Sequence, residues 1–597
     1  METLAALPVA LPLLVAAFVA CFAGHMPRRI ADLLALATCV AVVAIELRLL
    51  ETARHAPIVA WMGAWLPRGS VSIGIALHLD SLGLAFALLT AVLVFAAVVF
   101  ALRFFDAAET HFHVLLLIFL AALGGLAIAG DLFNLFVCFE LAGAVAYALC
   151  GYKTEDTAAL QGAINFAVSN TVGALLVLWG IGLLYGRTGA LNLAQMGAAV
   201  AGTAPDALLV MGFVLVASGL LVKAAMVPFH FWLADAHAVA PSPVCAIFSG
   251  VMVSAPILAL ARIHATVFAV PFGPHVDALR DVFFGFGVAT ALVGAILCFA
   301  QRHFKRLLAF STIAHVGLLV TGMGLFAPAA LGGVTLYALS HGLVKGALFL
   351  LAGIVLHRLG DVDELRLRGQ GRAVPALGIA IAVAALAIAG APPTGLFVGA
   401  SLIEEEAKHA GYGWLRHVFA ATSVLTAAAI LRAVGRIFCG WGAVTSRAGA
   451  GGGQTGETPE TFSGGGTVPI PMIVAPALLL LPGIALGMLP GVETVAVEHA
   501  ARFLAQGPGA PPPLPELAPL ADSVPRALFA LVLAVGLAAI DLAQGRLGDR
   551  GKRLFEHLER ILVRPLRLLH SGRIGDYVAW EVAGVAALAL LCLVLLR

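Results

Sequence analysis

The sequence predicts an all-α polytopic membrane protein with about sixteen transmembrane helices. Three observations carry this. The 597 residues are 61% hydrophobic and only 11% charged, with a mean hydropathy of +1.02. A soluble domain carries roughly 25% charged residues, so lipid must be the main solvent of this chain. Apolar runs of about 20 residues, the length that crosses a bilayer, recur from end to end. Finally, Lys and Arg are unevenly shared between alternate connections.

The apolar runs are 3–24, 30–50, 80–103, 113–130, 131–152, 162–186, 207–229, 238–262, 276–300, 306–327, 330–357, 374–402, 413–438, 469–491, 525–542 and 579–596. The first lacks a basic leading region and is long enough to span, so it reads as a membrane helix rather than a cleaved signal. With the N-terminus outside, the cytoplasmic connections are 25–29, 103–112, 153–161, 230–237, 301–306, 358–373, 432–468 and 543–578. They hold about two Lys or Arg for each one on the other side, the asymmetry expected of cytoplasmic loops. This places both termini on the non-cytoplasmic side of the cell (plasma or inner) membrane.

Three pieces lie outside the spans. Residues 443–466 are Gly/Thr-rich and read as a flexible loop. Residues 507–518 are Pro-rich and read as extended. In 546–572, Leu554, Leu558, Ile561, Leu562 and Leu566 recur at helical spacing between Arg and Lys. That pattern fits a basic helix on the cytoplasmic membrane surface or against a partner, or else a plain connector. The eight cysteines are scattered, with no CxxC pair or Cys/His cluster, so no metal, haem or iron–sulfur cofactor is expected. A net charge of +2 without a basic tail gives no sign of nucleic-acid binding.

An ionisable residue at the centre of a spanning helix costs about 2.5–3.5 kcal/mol on insertion scales and marks an ion pathway by default. Glu140 lies within such a run, and its carboxylate needs a cation or a proton; a structural ion pair is the alternative. Lys223 lies in another run, five residues before Pro228. A buried lysine sheds its proton when its counter-ion moves away, and a mid-span proline breaks the helix, which membranes tolerate where the break lines a polar cavity. His230 and His237 follow and read individually as interfacial residues. A second break is expected at Pro392–Pro393. The two breaks fall in the seventh and twelfth spans, an odd offset of five helices, which predicts inverted repeats. The expected division is 1–105 for the first three helices, 113–262 (spans 4–8) and 276–438 (spans 9–13) for the repeats, and 469–597 for the C-terminal helices with the amphipathic segment. His341 and Lys345 are four apart and share a helix face, an arrangement that can pass protons; helix capping is the alternative for His341. His315 is placed as an intermediate between the halves.

Together these segments resemble the proton-translocating antiporter-like family: the large membrane subunits of respiratory complex I and membrane-bound hydrogenases, and the core subunits of multisubunit Mrp-type sodium/proton antiporters. The matching stretches are GDLFNLFVCFE (130–140), KAAMVPFHFWLADAHAVAPSPVCAIFSG (223–250), KRLLAFSTIAHVG (305–317), SHGLVKGALFLLAG (340–353) and AGAPPTGLFVG (389–399). They fall within roughly residues 80–440, and the first, extended to residue 149, looks most like the D-type Mrp subunit. The resemblance implies that Glu140 is the fifth-helix glutamate paired with the lysine of the broken seventh helix, Lys223. It implies that His341 and Lys345 are the relay of the eleventh span. Two positions depart from the pattern: Ser254 stands where members often carry a lysine, and Ala400 where they usually carry Lys or Glu. Glu404 lies four residues past Ala400 on the same face, and either replaces the missing group or belongs to an acidic surface cluster with Glu405 and Glu406.

The implied function is an ion-translocating subunit of a multisubunit Na+/proton antiporter. The alternatives are a proton-pumping subunit of a redox-driven complex, or a non-conducting assembly subunit. The expected partners are other membrane subunits, lipid, protons and Na+. No redox site of its own is visible, so any enzyme label would belong to the complex.

Overall fold

The computed structural model describes residues 2–68, 72–105, 110–442, 466–509, 512–544, 553 and 557–596. Most of the predicted flexible loop (443–465) and the start of the amphipathic segment (545–552 and 554–556, with Leu554) lie outside the described residues.

The chain is a helical bundle. Helices α1 (Glu2–Cys21) and α2 (Arg28–Ala53) lead into an antiparallel hairpin, β1 (Ile58–Trp61) and β2 (Ala76–Leu79), then α3 (Ser81–Phe104), α4 (Thr110–Ile128), α5 (Leu132–Cys150) and α6 (Thr157–Thr188). A short α7 (Leu193–Val200) precedes α8 (Ala207–Lys223) and α9 (Phe231–Val239). Next come α10 (Ser242–Phe268), α11 (Gly273–Ala300), α12 (Phe304–Met323) and α13 (Pro328–Leu359). Then follow α14 (Pro375–Ile388), α15 (Gly395–His409), α16 (Leu415–Cys439), α17 (Ile470–Met488), α18 (Val492–Leu504), α19 (Val524–Leu542), α20 (Arg564–Leu569) and α21 (Ile574–Leu595).

Fourteen of the described helices are long and apolar enough to cross a membrane. The seventh and twelfth spans, where breaks are expected, are built instead from shorter helices. The seventh predicted span (207–229) is α8 and the irregular linker that leads into α9, and the twelfth (374–402) is α14 and α15 with a linker between them. Proline supplies no N–H, and its ring clashes with the carbonyl one turn back; Pro228 and Pro392–Pro393 lie in the two linkers. Two of the four half-helices, α8 and α15, carry a side-chain N-cap. The Asp206 carboxylate accepts from Leu209 N at 2.8 Å at the head of α8, and the Thr394 hydroxyl accepts from Phe397 N at 3.3 Å at the head of α15.

Helix α10 is wholly buried and contains two π-turns, Phe248–Met252 and His264–Phe268. Around it, α12 and α13 are nearly enclosed, while α1, α17, α19 and α21 form the periphery. Helices α11 and α12 approach closely through glycines. A Cβ on Gly317 would overlap the backbone of Ala291 and Gly287, and one on Gly294 the backbone of Ala314. Gly317→Val is therefore expected to destabilise the bundle by about 1–3 kcal/mol or more through overpacking. A lower thermal midpoint of the solubilised protein would show this, and an unchanged midpoint would refute the packing argument.

Candidate ion pathway

The candidate path begins on α5, whose first turn is fixed by Asp131 accepting from Asn134 N at 2.6 Å. Glu140 is half-buried on a stripe of this helix that also exposes Phe133, Val137, Ala144 and Ala148. Lys223 is the last residue of α8, fully buried at the break. Its ammonium donates to the Phe139 carbonyl at 2.6 Å and sits 3.7 Å from the centroid of the Phe139 ring. Gly143 leaves room for it: a Cβ there would stand 3.2 Å from Nζ. Lys223 thus rests on a carbonyl and a ring, while Glu140, one residue further on, acts on it electrostatically. Across the break, Trp232 Nε1 donates to the Val222 carbonyl at 3.0 Å, satisfying an acceptor that the interrupted helix leaves open.

Beyond the break, α9 carries His237 inward. The interfacial reading of His230 and His237 is corrected here: both are buried, His237 completely. The linker turns α9 back into the protein, where α5, α6 and α12 enclose it. The His237 ring stacks on Phe349 at 4.5 Å, and the ammonium groups of Lys305 and Lys345 both act on it. Neither of its ring nitrogens has a hydrogen-bond partner among the described residues. Lys305 donates to the carbonyl of Ala240, at the C-terminal end of α9, at 2.5 Å, where the helix dipole favours a cation. In the sequence Lys305 stands out only as part of a motif. Its own signal is a basic pair, Lys305–Arg306, at the head of an apolar span.

Lys345 donates to the Leu308 carbonyl at 3.0 Å and to the Ser311 hydroxyl. One turn back on α13, the His341 ring lies 5.1 Å from that of His315. His315 Nδ1 is 2.6 Å from the Tyr337 hydroxyl, and its Nε2 is 3.4 Å from Thr426 Oγ1. Tyr337 reaches a cavity of about 390 Å³ whose walls include Ala400, Glu404, Arg416, Ser423 and Arg526. The Glu404 carboxylate acts on Tyr337 electrostatically and lies 3.8 Å from Arg526. Glu404 therefore lines a cavity that opens at the surface, with its own side chain mostly covered. Ser254 is buried, with its hydroxyl donating to Val251 O at 3.2 Å.

The structure thus brings Glu140 to Lys223, and Lys345, His341 and His315 to Glu404 by way of Tyr337. His237 and Lys305 stand beside Lys345. Tyr337 is silent in the sequence because a phenol in an apolar helix carries no charge to notice.

A family model for the NADH:quinone oxidoreductase/Mrp antiporter transmembrane region matches residues 129–426. The N-type subunit of NADH-quinone oxidoreductase from Desulforudis audaxviator is 33% identical over 367 residues, 60% of this chain and 72% of that protein. The chain belongs to the NADH:quinone oxidoreductase/Mrp antiporter family. Another member, a D-type subunit of a probable K(+)/H(+) antiporter from Rhizobium meliloti, is 32% identical over 54% of this chain and 64% of its own length. The N-type subunit of F(420)H(2) dehydrogenase from Methanosarcina mazei is 29% identical over 50% of this chain and 62% of its own. For these two the match spans slightly less than two thirds of the relative. Among solved structures, a chain of the Mrp complex from Dietzia superposes with a TM-score of 0.72 at 25% identity, over 84% of this chain and 98% of that one. A chain of an archaeal membrane-bound sulfane sulfur reductase gives 0.73 at 24% identity, which speaks for the fold alone. The family resemblance read from the motifs therefore holds.

Proposed function

We propose that this family member is the ion-translocating subunit of a multisubunit monovalent cation/proton antiporter, with Na+ or K+ as the exchanged cation. The observation that carries the reading is the ordered set of buried titratable side chains running from the Lys223 break to the Glu404 cavity. Glu140 and Lys223 form the charge pair of one half. His237 with Lys305 links the halves, and Lys345, His341, His315 and Tyr337 lead to Glu404. Residues 113–262 and 276–438 act as the two inverted repeats, each contributing one interrupted span, at Pro228 and at Pro392–Pro393. The exposed stripe around Glu140 meets another membrane subunit, in keeping with relatives that are named as subunits of larger complexes. The Lys and Arg asymmetry supports both termini outside a cell membrane.

Glu404 fills the place left by Ala400. Both line the same cavity, so a carboxylate one turn away reaches the space that a longer side chain at 400 would occupy. This argues against the non-conducting reading. Glu404→Gln keeps size and polarity but cannot ionise. In membrane vesicles carrying the complex, it is expected to slow cation-driven proton movement at least fivefold at equal protein levels. Wild-type rates in that variant would remove Glu404 from the path.

The NADH-quinone oxidoreductase relative favours a second reading, in which the same residues serve a redox-driven proton pump. The two separate by driving force. An imposed Na+ or K+ gradient moves protons in an antiporter, whereas a redox-driven pump requires oxidation of a reduced donor.

A further inference from the structure

The C-terminal helix α21 follows the two repeats, and neither its docking nor its buried charge is used by the path above. It lies against α6, α8 and α11. Gly584 is where it meets the broken span: a Cβ there would stand 2.6 Å from both Pro228 and Phe229. The helix therefore sits directly on the Pro228 break. Its near end is held by Tyr577, whose hydroxyl donates to Asp235 of α9 at 2.8 Å and whose ring stacks on Phe231 at 5.1 Å.

One turn before Gly584 lies Glu581, only 2% exposed. One carboxylate oxygen accepts from the Ser169 hydroxyl of α6, and the other, Oε2, has no hydrogen-bond partner among the described residues. No charged side chain among the described residues acts on it. An ion pair cannot explain its retention in an apolar helix, and buried polar atoms without partners are rare. Ser169 belongs to a polar row. Gln161, Asn165 and Ser169 recur every fourth residue on one face of α6, with Gln161 Nε2 donating to Asn165 Oδ1 at 2.8 Å. Gln161 is exposed near the start of α6, and Asn165 and Ser169 are buried. The row leads from the surface to Glu581.

We infer that Glu581 is a further proton-binding site of this chain, supplied by α21 at the Pro228 break and reached along the Gln161–Asn165–Ser169 row. Oε2 takes one proton from hydronium arriving along that row, giving the neutral acid and leaving water. Giving the proton back to water at the Pro228 break restores the carboxylate and yields hydronium. The inference rests on the transport reading proposed above.

The test uses the full chain in its complex, in membrane vesicles, with Lys223→Ala alongside. Glu581→Gln is expected to slow cation-driven proton movement at least fivefold at unchanged protein content, and Glu581→Asp to restore at least half of the rate. In the wild type, dicyclohexylcarbodiimide, which modifies protonated carboxyls within lipid, is expected to label Glu581 as read by peptide mass spectrometry. A wild-type rate in Glu581→Gln while Lys223→Ala is inactive overturns this inference alone. So does a rate that falls only in step with the amount of chain retained in the membrane. If Lys223→Ala itself transports normally, the transport reading fails and this inference falls with it.

Discussion

Lys223→Ala is expected to reduce cation-coupled proton movement by at least tenfold while leaving the protein folded in the membrane. The reason lies in what holds the ammonium. It is fully buried, yet its nearest partners are the Phe139 carbonyl at 2.6 Å and the Phe139 ring at 3.7 Å. Glu140 acts on it across the same turn of α5. On the proposed reading, the carboxylate offers this cation a second resting place beside the carbonyl and ring. Exchange between them changes how readily it holds its proton, and the interrupted backbone after residue 223 gives its end of α8 freedom to make that exchange. Alanine removes the titratable side chain that the break between α8 and α9 presents to α5. It also removes a charge costing about 2.5–3.5 kcal/mol to keep at a helix centre, so stability is not the quantity that suffers. The measurement is the initial rate of dye-reported proton movement in vesicles, normalised to protein content. Lys223→Arg serves as the second arm: it keeps the charge but cannot be deprotonated, and is expected to be as inactive as alanine. A variant with Arg that transports at the wild-type rate would mean that position 223 needs charge and not proton exchange.

The residues that are legible in the sequence share one property. Glu140, Lys223, His341 and Lys345 each interrupt an apolar run with a charge or an imidazole, and hydropathy alone exposes them. What is not legible is hidden for physical reasons. His237 reads as part of a cytoplasmic connection because 230–237 follows a proline; the chain instead turns α9 back between α5, α6 and α12. Tyr337 joins His315 to the Glu404 cavity, but a phenol in an apolar helix looks like packing. Glu581 interrupts an apolar run as plainly as Glu140 does. It draws no notice because α21 falls outside the segments that carry the family resemblance. Its partner, Ser169, is also far away in sequence.

Glu364→Ala is expected to be among the most destabilising single substitutions in the chain, by about 3–5 kcal/mol, because it breaks a buried ion-pair network by removing one partner. Glu364 is fully buried in the connection between α13 and α14. Its carboxylate meets Arg436 at 2.5 Å, Arg302 at 3.0 Å and Arg432 at 3.2 Å. Arg436 reaches on to Asp541 at the end of α19, at 3.0 Å. Arg432 spends its remaining donors on the carbonyls of Phe299 and Gln301, at 2.5 and 2.6 Å. Three guanidinium groups therefore share two carboxylates. Removing Glu364 leaves all three facing Asp541 alone, with little water to screen them. Asp541→Asn leaves Glu364 to hold the guanidinia, so its cost should be smaller and confined to α19. That helix is largely exposed on its outer side, packs on α16 through Ala530, Ala534 and Ala538, and is tied at its end by Asp541 to Arg436. Thermal midpoints of the solubilised variants, with protease sensitivity near Gln544 as the local readout, distinguish the two. Glu364→Ala should lower the midpoint of the whole bundle, and Asp541→Asn should expose the end of α19 first. Equal midpoints for Glu364→Ala and wild type would mean that the three arginines are held by their carbonyl contacts and that the carboxylate adds nothing to the fold.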